Sequence, residues 1–118
     1  MRILFVCSRN RLRSPTAEAV FSCQQGIEAA SAGTSADAEA ALSAELIEWA
    51  EIIFVMERVH QRKLLERFGT LLKGKQVVVL GIPDKYKYMD PELVAVLRRR
   101  VTPYLKPHTY SQASDSYR

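Results

Sequence analysis

The fold is decided by the stretch ILFVCSRNRLRSP, which runs from Ile3 to Pro15. Its first four residues are aliphatic or aromatic without polar alternation, as in a strand buried on both faces of a parallel sheet. Ser14 and Pro15 predict the N-cap and the first position of a helix. A strand, a loop and a capped helix in succession indicate an α/β fold. The loop would lie at the carboxyl edge of the sheet, where such folds bind ligands.

Strands and helices are predicted to alternate along the rest of the chain. The runs 52–55 and 77–80 have the composition of buried strands, and 27–31 is a weaker candidate. The first helix is expected to extend from Ser14 toward Gln25, with Gly26 ending it. Apolar residues at helical spacing predict three further helices. Their buried faces are expected to be Leu42, Leu46, Trp49 and Ala50 in the first; His60, Leu64 and Phe68 in the second; and Leu93, Leu97, Val101 and Tyr104 in the third. Asp90-Pro91 is expected to begin the third of these helices.

The composition is that of one globular domain. The chain has 118 residues, 47% apolar and 25% charged, which excludes a largely disordered chain. We expect a single domain over 1–118 with a polar tail from about Lys106. The apolar runs are too short for a membrane span or a secretory signal, so we expect a cytoplasmic protein with no membrane partner. A net charge of +4 favours anionic partners.

Cysteine and histidine are too few for a disulfide framework or a metal cluster, with Cys7, Cys23 and two histidines in all. No metal or other cofactor is therefore expected. Cys23 is predicted to be a packed thiol inside the first helix. Cys7 instead ends the first strand, where backbone N–H groups and a helix N-terminus would bind a tetrahedral anion and favour a thiolate.

Three other residues of this loop suit an anion site. Arg13 can meet phosphate oxygens in pairs through its planar guanidinium. Asn10 suits a left-handed backbone position in a loop without glycine. Ser14 can cap the helix and can also donate its hydroxyl to the thiolate of Cys7. The loop therefore predicts a phosphate site with a nucleophile beside it.

The segment VCSRNRLRSPTAE, residues 6–18, resembles the signature of the low-molecular-weight protein tyrosine phosphatases. Further blocks similar to that family are SAGT at 31–34, VMERVH at 55–60 and IPDKY at 82–86. The likeness extends from Ile3 to about Leu105 and is greatest to the short bacterial proteins described as predicted tyrosine phosphatases. It implies a three-layer α/β fold, with helices on both faces of a four-stranded parallel sheet and a phosphate-binding loop after the first strand.

The resemblance also implies a reaction. A phosphotyrosine protein, or another anionic aryl phosphate, would be hydrolysed through a phosphocysteine without metal, and inorganic phosphate would be the product. Cys7 would be the nucleophile, and Arg13 would stabilise the transferring phosphoryl group. The expected substrate-binding residues are Ser8, Arg9, Asn10, Arg11, Leu12, Ser14 and Tyr86.

Two aspartates compete for the role of general acid. Asp84 keeps the family's approach and the following tyrosine, but Lys85 stands where the family has proline. Asp90 keeps the proline as Asp90-Pro91, yet an aspartate before a proline is also what a plain helix N-cap looks like. We expect Asp84 to be the acid.

The chain departs from the family at Leu12, where many members carry a second cysteine that can pair with the nucleophile. Arg9 and Arg11 add positive charge to the loop, which indicates either a substrate with extra negative charge near the phosphotyrosine or a substrate that is not a protein. Glu57 and His60 match a family block but receive no catalytic role. His60 shares a helix face with apolar residues and is expected to be structural.

Three other functions remain as alternatives. An arsenate reductase of the same fold would need further cysteines near the site, and the chain offers only Cys23. A non-catalytic phosphate-binding module is favoured only by Lys85. An RNA-binding domain would present aromatic stacking residues on a sheet, a motif that the sequence lacks, so no nucleic-acid partner is expected.

Overall fold

The computed structural model describes residues 1–105, so the tail predicted from about Lys106 lies outside the described residues. A parallel sheet has the strand order β2-β1-β3-β4. Its strands are β1 (Arg2–Cys7), β2 (Glu28–Gly33), β3 (Ile52–Val55) and β4 (Gln76–Val79). The helices are α1 (Arg13–Phe21), α2 (Ala44–Trp49), α3 (Arg58–Phe68) and α4 (Pro91–Val101), with 3₁₀ turns at Gly69–Leu72 and Thr102–Tyr104. The predicted four-stranded parallel α/β fold is confirmed.

Two apolar cores sandwich the sheet. Alternate residues of β1 point to opposite faces: Phe5 packs toward α1 and α4, and Leu4 packs toward α2 and α3. On the first face Phe5 stacks on both Phe21 and Phe54, with ring centroids 5.6 and 5.4 Å apart. Because both faces of β1 are covered, its buried apolar run needs no polar alternation, and its carboxyl end at Cys7 is held rigidly.

The first helix differs from its prediction at both ends. It begins at Arg13, with Leu12 at the N-cap position, and Ser14 caps nothing. The reason is that the hydroxyl of Ser14 is bonded to Cys7 and Asn10 instead. The helix ends at Phe21, so Cys23 lies beyond it and is exposed, with its sulfur 3.5 Å from the carbonyl of Ala19. The prediction of a packed thiol at Cys23 is wrong.

The other predicted helices form, but two of their predicted faces change. In α2 the buried residue is Ile47, which is not on the predicted stripe, and Tyr104 lies beyond α4 in a 3₁₀ turn and is 41% exposed. In α2, which is shorter than its stripe, Ser43 caps the helix by accepting from the N–H of Leu46 at 3.2 Å. Leu42 and Ala50 are buried but flank the helix. In α4 the side chain of Asp90 accepts from the N–H of Glu92 at 2.9 Å, as expected for a cap before proline. Within residues 1–105 no helix has the length and hydrophobicity needed to cross a membrane.

The segment between β2 and α2, residues 34–42, packs tightly against the loop that follows β1. Gly33 stands where the two meet: a Cβ atom there would lie 2.5 Å from Ala38 Cβ and 2.6 Å from the carbonyl oxygen of Ser8. Gly33 is therefore required by close approach, because its neighbours include backbone that cannot move without displacing the loop.

His60 is fully buried at the start of α3. Its Nδ1 accepts from the backbone N–H of Glu57 at 3.0 Å, and its Nε2 lies 3.0 Å from the hydroxyl oxygen of Ser8. Burial, helped by the nearby charge of Arg13, lowers the pKa of His60 to about 4. The ring is therefore neutral at pH 7, with its proton on Nε2, and the prediction of a structural histidine agrees with its hydrogen bonds.

We expect Gly33→Ala to destabilise the protein by about 1–3 kcal/mol, because the added methyl group forces overpacking against Ala38 and Ser8. Denaturant unfolding measures the effect. Gly69→Ala is the matched control, since a Cβ there meets nothing within 4 Å and the backbone is right-handed helical. Equal unfolding free energies for the two variants would contradict the steric argument.

The buried imidazole predicts a pH dependence of stability. The pKa of His60 lies below its ordinary value of 6.5 in the folded state, so the unfolded chain takes up a proton first as the pH falls. The stability associated with the neutral ring is therefore complete above pH 6.5 and is lost toward pH 4, by about 3 kcal/mol in total.

The free energy of unfolding, measured between pH 6.5 and pH 4, should fall less steeply for His60→Asn than for the unchanged protein. Asparagine keeps an acceptor for the N–H of Glu57 but does not titrate. Two parallel curves would show that another group causes the loss.

Candidate active site

The loop from Cys7 to Arg13 closes around a point at the carboxyl end of β1. The carbonyl oxygens of Cys7, Ser8 and Arg9 accept from the N–H groups of Thr34, Ser35 and Glu39, at 2.9, 2.9 and 3.1 Å. Because N–H and C=O point in opposite directions across a trans peptide, the N–H groups of the three following residues are turned away from the 34–42 segment. The loop therefore presents a series of donors suited to an oxyanion.

Asn10 allows the loop to turn this tightly. Its φ of +59° is the left-handed conformation that the sequence predicts for it. The residue is buried, and its side-chain Nδ2 donates to Ser14 Oγ at 3.0 Å. Both the backbone and the side chain of Asn10 are thus used to shape the loop.

Cys7 and Ser14 lie at the centre of this arrangement. The sulfur of Cys7 is 2.9 Å from Ser14 Oγ, and Cys7 is buried at 3% exposure. Since Asn10 already donates to Ser14 Oγ, the hydroxyl hydrogen of Ser14 is free to point at the sulfur. A sulfur that accepts a hydrogen bond is better stabilised as a thiolate than as a thiol.

Arg13 is buried and fixed by two other loops of the same sheet edge. Its Nη1 donates to Glu57 Oε1 at 2.6 Å and to the carbonyl oxygen of Ile82 at 2.8 Å. Glu57 lies two residues after the end of β3, and Ile82 lies three residues after the end of β4. These contacts set the plane of the guanidinium, which is what a fork that binds two oxygens of one anion needs.

Sequence reasoning assigned no role to Glu57, although it is the partner of Arg13. A signal was present: Glu57 follows a buried strand two residues after its end, as the loop residues follow Cys7. Because parallel strands end at the same edge of the sheet, a carboxylate there meets a buried arginine from the neighbouring loop.

Ser8 contacts the same helix start. Its hydroxyl accepts from Nε2–H of His60, whose tautomer is set by the Glu57 N–H on the other ring nitrogen. The hydroxyl hydrogen of Ser8 is thereby left to donate elsewhere. The N-terminal end of α3 thus orients two candidate anion-binding residues, Ser8 through His60 and Arg13 through Glu57.

The two competing aspartates lie in different surroundings. Asp84, with its side chain 62% exposed, has Oδ1 3.7 Å from Nε of Arg13. Asp90 is bonded to the first turn of α4 as its N-cap. The structure therefore brings Asp84 to the arginine of the loop, and it gives Asp90 a structural partner.

Residues on the rim differ in their contacts. Tyr86 is half-buried against the core on the α1 and α4 face, and the ammonium of Lys85 lies 5.3 Å from its ring centroid. Leu12 is exposed at 38%. Arg9 and Arg11 extend toward the 34–42 segment, where they pair with Asp37 and Glu39.

The arrangement is chemically an anion site with a nucleophile. Inward N–H groups, a fixed guanidinium and the N-terminus of α1 favour a tetrahedral oxyanion in front of Cys7. Among the described residues no group of three or more histidine, cysteine, aspartate or glutamate side chains is placed to hold a metal ion.

Comparison with known proteins gives a consistent picture. Residues 2–52 match the model of the family described as low molecular weight phosphotyrosine protein phosphatase. No curated protein matches the chain in sequence. A YwlE mutant from Bacillus subtilis is similar in structure, with 25% identity, a TM-score of 0.70 and coverage of 90% of this chain and 99% of that one.

Two further solved structures resemble the chain. A YwlE arginine phosphatase mutant with a phosphorylated active-site serine has 24% identity and a TM-score of 0.70, over 92% of this chain and 98% of that one. The low molecular weight protein tyrosine phosphatase of Streptococcus pyogenes has 17% identity and a TM-score of 0.75, over 95% and 97%. The sequence match to this family over residues 2–52 includes the whole loop from Cys7 to Ser14, and the solved structures share the fold of the chain.

Proposed function

We propose that the chain is a metal-independent phosphatase that hydrolyses phosphotyrosine, and other anionic aryl phosphate monoesters, through a phosphocysteine at Cys7. The observation that carries the proposal is the position of the Cys7 sulfur, 2.9 Å from Ser14 Oγ inside a loop whose arginine is fixed from outside. Inorganic phosphate is the product, and the proposed compartment is the cytoplasm.

In the first step the thiolate of Cys7 attacks phosphorus in line with the bond to the leaving oxygen. The sulfur–phosphorus bond forms as the phosphorus–oxygen bond breaks, and negative charge spreads over the equatorial oxygens. Arg13 and the inward N–H groups of the loop bind these oxygens, with Ser8 and Asn10 supporting the loop. Because Glu57 and Ile82 already orient Arg13, little reorganisation is needed during the reaction.

Asp84 serves as the acid and then as the base. It gives a proton to the leaving phenolate oxygen, and its carboxylate later takes a proton from the water that attacks the phosphocysteine. The sulfur–phosphorus bond then breaks, which releases phosphate and restores the thiolate. The position of Asp84 near Arg13 supports this assignment, and the cap formed by Asp90 argues against the alternative.

Two relatives bear on the proposal. The phosphorylated serine in the active site of the YwlE mutant supports a phosphoenzyme at the corresponding nucleophile. That relative is also an arginine phosphatase, which makes phosphoarginine the second substrate class. Phosphotyrosine is preferred here because Tyr86 lies two residues from Asp84, so an aromatic side chain accompanies the proposed acid along the chain.

Cys7→Ser should abolish hydrolysis of p-nitrophenyl phosphate, since a serine hydroxyl is not ionised in this loop. Cys23→Ser is the matched control and should keep most activity, because Cys23 is exposed beyond α1. Initial rates without added metal, with and without EDTA, measure the effect. Loss of activity in the Cys23 variant alone, or on chelation, would contradict the mechanism.

The same assay with two peptides distinguishes the substrate classes. Phosphotyrosine peptide should be hydrolysed with a higher kcat/KM than the matched phosphoarginine peptide. A reversed order would keep the phosphocysteine mechanism and replace the proposed substrate.

Asp84→Asn should slow phosphotyrosine hydrolysis by roughly 10²–10⁴-fold and p-nitrophenyl phosphate hydrolysis much less, because a stable leaving anion needs a proton least. Asp90→Asn should leave the hydrolysis rates of both substrates unchanged, since asparagine is nearly as good an N-cap as aspartate. Steady-state kcat on both substrates tests this. If Asp90→Asn gave the leaving-group dependence instead, the acid would be Asp90.

A further inference from the structure

The two arginines that the loop adds to its rim are both paired with carboxylates of the same chain. Arg9 Nη2 lies 3.8 Å from Asp37 Oδ2, and Arg11 Nε lies 3.6 Å from Glu39 Oε2. All four side chains are more than half exposed. The positive charge that the sequence places at the mouth of the site is therefore largely balanced in the free protein.

The carboxylates are held in place by the backbone of the 34–42 segment. Ser35 N–H and Glu39 N–H donate to the carbonyl oxygens of Ser8 and Arg9, which fixes the segment alongside the loop. The hydroxyl of Ser35 also donates to Asp37. This bond, followed by the charge of Arg9, lowers the pKa of Asp37, so the carboxylate stays ionised. Asp37 and Glu39 are thus positioned charges rather than incidental surface residues.

We propose that Asp37 and Glu39 are specificity-determining residues that compete with the substrate for Arg9 and Arg11. The substrate class is a phosphotyrosine peptide with carboxylates beside the phosphotyrosine, whose side chains exchange with those of Asp37 and Glu39. This inference rests on the proposed phosphatase function for its substrate. Because the arginines are occupied in the free protein, the preference for acidic peptides is reduced from what the loop alone would give.

The size of the effect follows from the exposure of the pairs. An exposed ion pair shifts an equilibrium by a factor of up to about five. A peptide carboxylate can bind an arginine only in the fraction of protein molecules whose internal pair is open. Its apparent affinity is lowered by that fraction. Removing one internal carboxylate should therefore strengthen binding of an acidic peptide about two- to fivefold at low salt, and high salt should screen the gain.

The experiment uses Asp37→Asn, Glu39→Gln and the double variant, with two phosphotyrosine peptides that differ only in Asp/Glu against Asn/Gln around the phosphotyrosine. KM for the acidic peptide should fall about two- to fivefold per substitution in low salt. KM for the neutral peptide, and kcat on p-nitrophenyl phosphate, should stay unchanged. In an Arg9→Ala, Arg11→Ala background the same substitutions should give no gain.

Glu51→Gln is the matched control for net charge. Glu51 pairs with Arg2 at 3.6 Å, with side chains 42% and 44% exposed, but Arg2 begins β1 and so lies at the opposite edge of the sheet. The control should leave the KM for acidic peptide unchanged. An equal gain in the control, an equal shift for both peptides, or no shift at all would overturn the proposal.

Equilibrium binding of the two peptides separates this inference from the proposed function. It is measured by titration calorimetry on the same variants in a Cys7→Ser background, which does not hydrolyse the peptides, and hydrolysis is measured on the variants that keep Cys7. A selective gain in binding without any hydrolysis would support the competition and refute the phosphatase. Hydrolysis without a selective gain in binding would support the phosphatase function and refute the competition. A loss of kcat on p-nitrophenyl phosphate would show instead that the pairs only shape the loop.

Discussion

The burial of the Arg13 guanidinium is the constraint on which the site depends. A buried positive charge is costly unless a carboxylate and further hydrogen-bond acceptors compensate it. Glu57 and the carbonyl of Ile82 provide both, at 2.6 and 2.8 Å. Since Glu57 follows β3 and Ile82 follows β4, one side chain at the start of α1 connects the loops after three parallel strands. The site can therefore form only when the whole sheet edge has assembled.

The loop that contains Cys7 is shaped from the outside as much as by its own residues. The 34–42 segment binds its carbonyl oxygens, and Gly33 allows the approach. The start of α3 orients Ser8 through His60 on another side. Asn10 supplies the left-handed turn that the loop itself needs. A loop without glycine is in this way held by its own left-handed residue and by two other parts of the fold, which suits a site that must bind a transition state without rearranging.

Charge is distributed differently at the base and at the rim of the site. At the base, Arg13 is buried, and its partner Glu57 is 40% exposed, so solvent screens this pair less than it screens a pair of two exposed side chains. At the rim, the pairs of Arg9 with Asp37 and of Arg11 with Glu39 are exposed and easily exchanged. The buried guanidinium of Arg13 suits a fixed role toward phosphate, whereas the exposed pairs suit discrimination among the groups that surround it.

The sequence by itself determined the sheet and the loop. An apolar run such as Ile52–Val55 must be covered on both faces, and Asp90-Pro91 starts a helix, because these effects depend on neighbouring residues only. The left-handed Asn10 followed for the same reason. Contacts between distant segments were decided by the tertiary structure alone.

Ser14 bonds to Cys7 instead of capping the helix. Glu57 pairs with Arg13, 44 residues away in the chain, and Asp37 pairs with Arg9. Cys23 lost its predicted burial because α1 ended at Phe21. Such partners depend on which loops lie together at the sheet edge, and this depends on the strand order. Local residue spacing predicts helices and strands but does not determine strand order.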